Sequence, residues 1–242
     1  MTETRASHAD LDEELRRAKA RKISAILGPG SLRGARLLEI GTGSGVISAE
    51  LARLALPGGS LDSVDVVDER IETDGYRFTH VAGTALPFDD GSFDLVISNH
   101  VIEHVGAEVD QAAHLREIAR TLAANGRFYL ASPSRASVVE PHFHLPFLSW
   151  LPQGASDAYV RATGRGSHYD CRLLTRTKLR RLLADARLTA DDRSLDAARL
   201  FAQEARAGRL ARLVGHVPPG SLRPLRGAIP TMIFVGGPAS AA

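Results

Sequence analysis

A short apolar run, Ala35–Ile40, ends in Gly41-Thr42-Gly43-Ser44-Gly45, and helical periodicity sets in directly behind it, from Val46 to Leu56. A buried strand that turns into a helix through three alternating glycines leaves few architectures open. Glycine lets the backbone turn tightly and approach a ligand closely. The helix behind it offers unpaired N–H groups and the positive end of its dipole. The same alternation continues along the chain. Strands are predicted at Leu61–Val67, Arg77–Ala82, Phe93–Ser98 and Arg127–Ala131, with a helix at Asp110–Leu122 and a turn at Asn125-Gly126. Strands separated by helices need crossover connections, which give a doubly wound, mostly parallel α/β sheet with helices on both faces.

The ends of the chain follow the same logic. An amphipathic helix is predicted over about Ala9–Leu27, stopped by Gly28-Pro29-Gly30. After residue 131 the rhythm breaks. Ser132 to about Asp170 is rich in proline, histidine and aromatics, and an insertion of that length behind a strand's carboxyl end is expected to cover a site. A helix resumes at Arg176–Ala186, then a weak strand at Leu188–Leu195, a helix over about Asp196–Val214 broken by Pro218-Pro219-Gly220, and a last strand at Thr231–Val235.

Composition removes several function classes. Thirty Lys and Arg against 28 Asp and Glu leave a net charge of +2, with no basic stripe interleaved with aromatics, so nucleic-acid binding is not expected. No apolar run reaches the roughly 18 residues of a membrane span. Cys171 is the single cysteine, which excludes an intrachain disulfide, fits a reducing compartment and makes a cytoplasmic location the expectation. Taken by itself this thiol reads as inert packing. The oligomeric state is left open.

The glycine spacing is Gly41, Gly43, Gly45, not the Gly-x-Gly-x-x-Gly of the NAD fingerprint, while Asp65 closes the next strand where ribose hydroxyls need an acceptor. The run Leu38-Glu39-Ile40-Gly41-Thr42-Gly43-Ser44-Gly45 resembles the first motif of class I S-adenosylmethionine-dependent methyltransferases. Leu86-Pro87-Phe88-Asp89-Asp90-Gly91-Ser92-Phe93-Asp94-Leu95-Val96-Ile97-Ser98-Asn99-His100-Val101-Ile102-Glu103-His104 resembles the type-11 methyltransferase group, as does Leu115–Leu122 with the Asn125-Gly126-Arg127 turn. The resemblance implies a Rossmann-like sheet of seven strands, the last antiparallel. It implies a methyl donor, S-adenosylmethionine, cupped by Gly41, Thr42, Gly43 and Gly45 with Glu39 nearby. Asp65 would hold the ribose, and Val66, Thr84 and Ala85 the adenine, while Asn99 and His100 would border the transfer site. The helix after Asp65 is expected to be short. On this reading the chain is one domain over 1–242: a helical cap (1–30), a cofactor-binding core (31–132), a substrate cover (133–172) and C-terminal helices and strands (173–242).

Methyl transfer to an alcohol or phenol needs a base, and histidine is suited to it near neutral pH. The candidates are His100 and His104, on one face if that segment is helical, and His142, His144 and His168 in the cover. The histidine-rich cover favours an oxygen of a small-molecule acceptor over nitrogen or carbon. His100-x-x-Glu103-His104 also matches a zinc-peptidase motif letter for letter, but it follows a strand. The resemblance extends to small-RNA 2′-O and quinone-biosynthesis O-methyltransferases that use a divalent cation at a Glu-His segment. There His100, Glu103 and His104 would supply three ligands and a cover histidine a fourth; no metal is assigned from the sequence. Phe143, Phe147, Trp150, Tyr159 and Tyr169 are open to two readings, a substrate pocket or a satellite core. A non-catalytic binding module is the rival from another class.

Overall fold

The computed structural model describes residues 13–203 and 229–239. Seven strands form one sheet: β1 (Arg36–Ile40), β2 (Ser60–Asp65), β3 (Arg77–His80), β4 (Phe93–Asn99), β5 (Leu122–Pro133), β6 (Leu188–Asp192) and β7 (Thr231–Pro238). Their spatial order is β3-β2-β1-β4-β5-β7-β6. The first five pair in parallel, and β7 runs antiparallel to both its neighbours. The order reverses between β1 and β4, and a crevice opens at such a switch point beyond the carboxyl ends of the strands.

Side-chain parity assigns the two faces. Leu37, Leu95, Ile97, Tyr129, Ile233 and Val235 face a layer built from α1 (Glu13–Leu27), α2 (Val46–Ala55) and α6 (Ser194–Gln203). Their sequence neighbours Leu38, Val96, Phe128, Leu130, Met232 and Phe234 face the other layer, with α3 (Glu108–Thr121) and α5 (Arg176–Asp185). Consecutive strand residues point to opposite faces, so both faces of each central strand are apolar, as a sheet covered on two sides requires. A third cluster, Phe143, Leu145, Leu148, Val160, Tyr169, Cys171 and Leu173, lies within the insertion with α4 (Gln153–Ala162).

Two expectations are corrected, and the conditional reading of the segment after Asn99 is decided. No helix follows β2; residues 66–76 form an irregular strap, whose Ile71 and Glu72 amides donate to the Ser44 carbonyl (3.0 and 3.1 Å). β5 begins at Leu122, which pairs with Phe93, and the register shifts before Arg127 meets Leu95. The segment after Asn99 is a turn, not a helix: His100 has φ +60° and the His104 amide donates to the Val101 carbonyl at 2.8 Å. The predicted helix start before Glu13, the helix beyond Gln203 and the Pro218-Pro219-Gly220 break lie outside the described residues. No described helix is long and apolar enough to cross a membrane.

Candidate active site at the carboxyl ends of the strands

The glycine turn leaves β1 with Gly41 at φ +89° and enters α2 with Gly45 at φ +81°. A Cβ on Gly41 would run into Val101 Cγ2, and one on Gly45 into the Glu72 carbonyl and Tyr76 hydroxyl. Both positions therefore need glycine for conformation and for room. A Cβ on Gly43 would meet only Arg16 Nη1, at 3.8 Å, so this part of the turn stays open. The Gly43 amide donates to Asp65 Oδ2 (2.8 Å), and Asp65 Oδ1 accepts from Val66 N (2.7 Å). Beside the half-buried Asp65, Val66 is exposed. On the loop behind β3 Thr84 is half-buried and Ala85 exposed.

Beneath the turn Glu39 is fully buried, with Ser48 donating to Oε2. Burial pushes its carboxyl up to about 8, with Asp65 adding to the rise and the Ser48 bond and Arg16 opposing it.

At the end of β4 the turn Asn99–His104 brings three titratable groups together. His100 Nδ1 stands 3.4 Å from Oε1 of Glu103, which is fully buried. Burial pushes the Glu103 carboxyl up, but His100 and then His104 more than offset this and leave it below its usual range. The cover adds His142, 3.7 Å from the same oxygen through Nε2, while its Nδ1 pairs with Glu140 Oε1 at 2.8 Å. Glu140 is itself buried, and its other oxygen accepts from His142 N and Phe143 N (2.8 and 2.6 Å). Burial pulls the His142 imidazole down, but Glu140, with Glu103 and Asp170, outweighs it and holds it above its usual value. The ring of His142 lies 5.0 Å from that of His104, at 86°.

The remaining predicted histidines are placed differently. His144 and His168 are exposed, and His168 Nδ1 pairs with Ser167 Oγ at 3.0 Å. The aromatics divide: Phe143 and Tyr169 belong to the satellite core, with Tyr159 packed on it, while Phe147 and Trp150 meet edge to face at the surface. Sequence reasoning missed three members of the cluster. Glu140 sits two residues before His142, a spacing that carries a signal in hindsight. Cys171, whose Sγ is 3.9 Å from His104 Nδ1, and Asp170 beside it are 67 and 66 residues from His104, and nothing local marks them. Burial, with Asp170, Glu140 and Glu103 nearby, pushes the Cys171 thiol well up and favours its neutral form.

A methyltransferase-domain family model matches residues 38–130. A ubiquinone biosynthesis O-methyltransferase from Methylobacterium is 31% identical over 54% of this chain and 55% of that protein. A ubiquinone/menaquinone biosynthesis C-methyltransferase from Geotalea uraniireducens is 33% identical over 49% of this chain and 55% of that protein. The chain thus spans about half the length of these curated relatives. Among solved structures, a geranyl diphosphate methyltransferase in complex with S-adenosylmethionine superposes with a TM-score of 0.55, at 17% identity, over 93% of this chain and 86% of that one. That likeness concerns the fold, and the matched motifs lie on the strand ends where the glycine turn, Asp65 and His100 meet. Over residues 38–130 the chain is similar to methyltransferase domains of the type-11 group.

Proposed function

We propose that this chain transfers a methyl group from S-adenosylmethionine to an oxygen of a small-molecule acceptor, with His100 as the base. The donor's fit rests on the chain itself. The turn carries two buried hydroxyls without a hydrogen-bond partner, Thr42 Oγ1 and Ser44 Oγ, beside the open Gly43. Asp65 supplies a carboxylate for ribose hydroxyls, and the exposed Val66 an apolar surface for the adenine. When bound, the donor presents a methyl group activated by a positive sulfur. The protein's task is then to align the acceptor, exclude water and take up its proton.

The observation that carries the base assignment is the posture of His100. It is held in the left-handed region directly past β4, which strains a side-chain-bearing residue and is characteristic of functional sites. Its Nδ1 faces the buried Glu103 carboxylate, so its Nε2 is the nitrogen left to meet an acceptor. A carboxylate behind an imidazole fixes the tautomer and stabilises the cation formed on proton uptake. Of the two relatives described above, one is named for O-transfer and one for C-transfer. The oxygen reading therefore rests on this pair.

The test is His100→Gln, assayed with the donor and a panel of phenols and catechols, with products identified by mass spectrometry. Turnover is expected to fall by about 10²–10⁴-fold, the range for a lost general base. Donor affinity, measured by calorimetry, should change by less than about threefold. Full turnover in the variant, or methylation at carbon or nitrogen alone, overturns the assignment.

A further inference from the structure

Glu103 and Tyr169 place buried polar atoms where a cation is favoured. Both Glu103 carboxylate oxygens and the Tyr169 hydroxyl are buried with no hydrogen-bond partner. Glu140 is buried on the other side of the His142 ring, and Asp170 adds a third carboxylate beside Cys171. A buried carboxylate held only by long contacts to His100 and His142 (3.4 and 3.7 Å) is steadied by positive charge beside it. Two overlapping sets of ligand atoms stand here, His104/His142/Cys171 and His100/Glu103/His142, each within 4.8 Å of one another.

We propose that His104, His142 and Cys171 bind one divalent transition-metal ion of the zinc class. Three features select this set. First, His142 Nδ1 is engaged by Glu140, which turns Nε2 toward the cluster. A carboxylate on the far nitrogen is the usual support of a metal-bound histidine. Second, Cys171 Sγ lies 3.9 Å from His104 Nδ1, and the His104 and His142 rings are nearly perpendicular. Bonds of about 2.0–2.3 Å draw such atoms closer around one tetrahedral centre. Third, His100 and Glu103 already face each other, which leaves Glu103 as the outer negative charge beside the ion. Two imidazoles and a thiolate form a soft donor set that suits zinc and disfavours magnesium or calcium. Binding releases the Cys171 proton, since the thiolate is the ligand.

Three protein ligands leave one tetrahedral position open, as in sites that bind a reacting oxygen. That use of the ion rests on the proposed methyl transfer; its occupancy does not.

The experiment titrates chelator-stripped full-length protein with Co²⁺ and follows the visible and near-ultraviolet spectrum. We expect one equivalent, intense tetrahedral d–d bands and a thiolate-to-cobalt charge-transfer band, all displaced by Zn²⁺ and not by Mg²⁺. Cys171→Ser should lose the charge-transfer band, and Glu140→Gln should weaken Zn²⁺ binding by about 10–100-fold. Binding of S-adenosylmethionine on the same samples reports that each variant is folded. Should a variant fail that control, the wild-type spectrum decides alone. An octahedral spectrum without the thiolate band, a band that survives in Cys171→Ser, or no stoichiometric uptake overturns the proposal. None of these readouts requires methyl transfer, so the two readings fail separately.

Discussion

Glu39 is a carboxyl group with no solvent around it. It lies on β1 under the glycine turn, and burial raises its value from 4.5 to about 8. The folded protein therefore holds this proton more tightly than the unfolded chain. Its contribution to stability is fully present below about 4.5 and is lost as pH rises through about 8. Stability should fall by about 1 kcal/mol per pH unit across that window from this residue alone. Glu39→Gln keeps the shape and the Ser48 contact and removes the titration. Urea midpoints measured across the window should therefore lose that component of their slope in the variant. An identical slope in both proteins would mean that Glu39 ionises freely in the folded state. The sequence placed Glu39 near the turn, because it stands two residues before Gly41 within the motif. It did not show that the side chain would be sealed beneath α2, since burial depends on how that helix docks.

Among the elements, α3 does more than cover a face of the sheet. Arg120, near its end, donates to the Leu86 and Phe88 carbonyls (3.0 and 2.7 Å) and pairs with Asp90 and Glu117 (2.8 Å each). Glu117 in turn accepts from the Leu86 amide at 2.8 Å. The stretch Leu86–Asp90 is thus clamped to α3 just after Thr84 and Ala85, which gives a physical reason for Leu-Pro-Phe-Asp and the α3 charges to appear in one chain. Arg120→Met keeps much of the packing and strands both carbonyls. We expect a loss of about 1–3 kcal/mol in stability and a measurable fall in donor affinity, although Arg120 lies on the helix and not at the turn. Unchanged donor affinity by calorimetry would show the loop that carries Thr84 and Ala85 to be held by other contacts. Elements with strong apolar parity, such as β1, β4, β5 and β7, were legible because each alternates between two covered faces. The strap at 66–76 was not. Its backbone is fixed by Ser44 and Tyr76, and by Arg17 pairing with Glu72, contacts no local pattern encodes. The turn at 100–104 shows the same limit: helical spacing suggested His100 and His104 on one face, and a left-handed His100 brought His100 onto Glu103 instead.

At the scale of the molecule, the insertion behaves as a small unit docked on the sheet's carboxyl edge. It has its own apolar cluster, and Gln111 of α3 joins it to the core by donating to the carbonyls of Ile102 (3.1 Å) and Arg172 (2.8 Å). The Arg172 amide returns a bond to the Glu103 carbonyl at 2.8 Å. These bonds hold the chain at Arg172 against the 102–103 turn, and so carry the adjacent Cys171 to His104. The sequence offered the cover as a unit, from its length and aromatic content, and could not offer its docking, because Gln111 reads as one polar residue on an amphipathic helix. Gln111→Met fills the same space without donors and leaves the buried Ile102 carbonyl and the part-buried Arg172 carbonyl without this donor, at a cost of about 1–3 kcal/mol. That cost should fall on the cover's attachment more than on the sheet. Amide hydrogen exchange is expected to quicken across residues 140–173, while strand amides in β1, β4 and β5 keep their wild-type protection. The spread of distances between His104 and Cys171 should widen in parallel, weakening any ligand that needs both. If protection instead drops uniformly through sheet and cover, the two fold as one cooperative block, and the approach of Cys171 to His104 is set by the core and not by this joint.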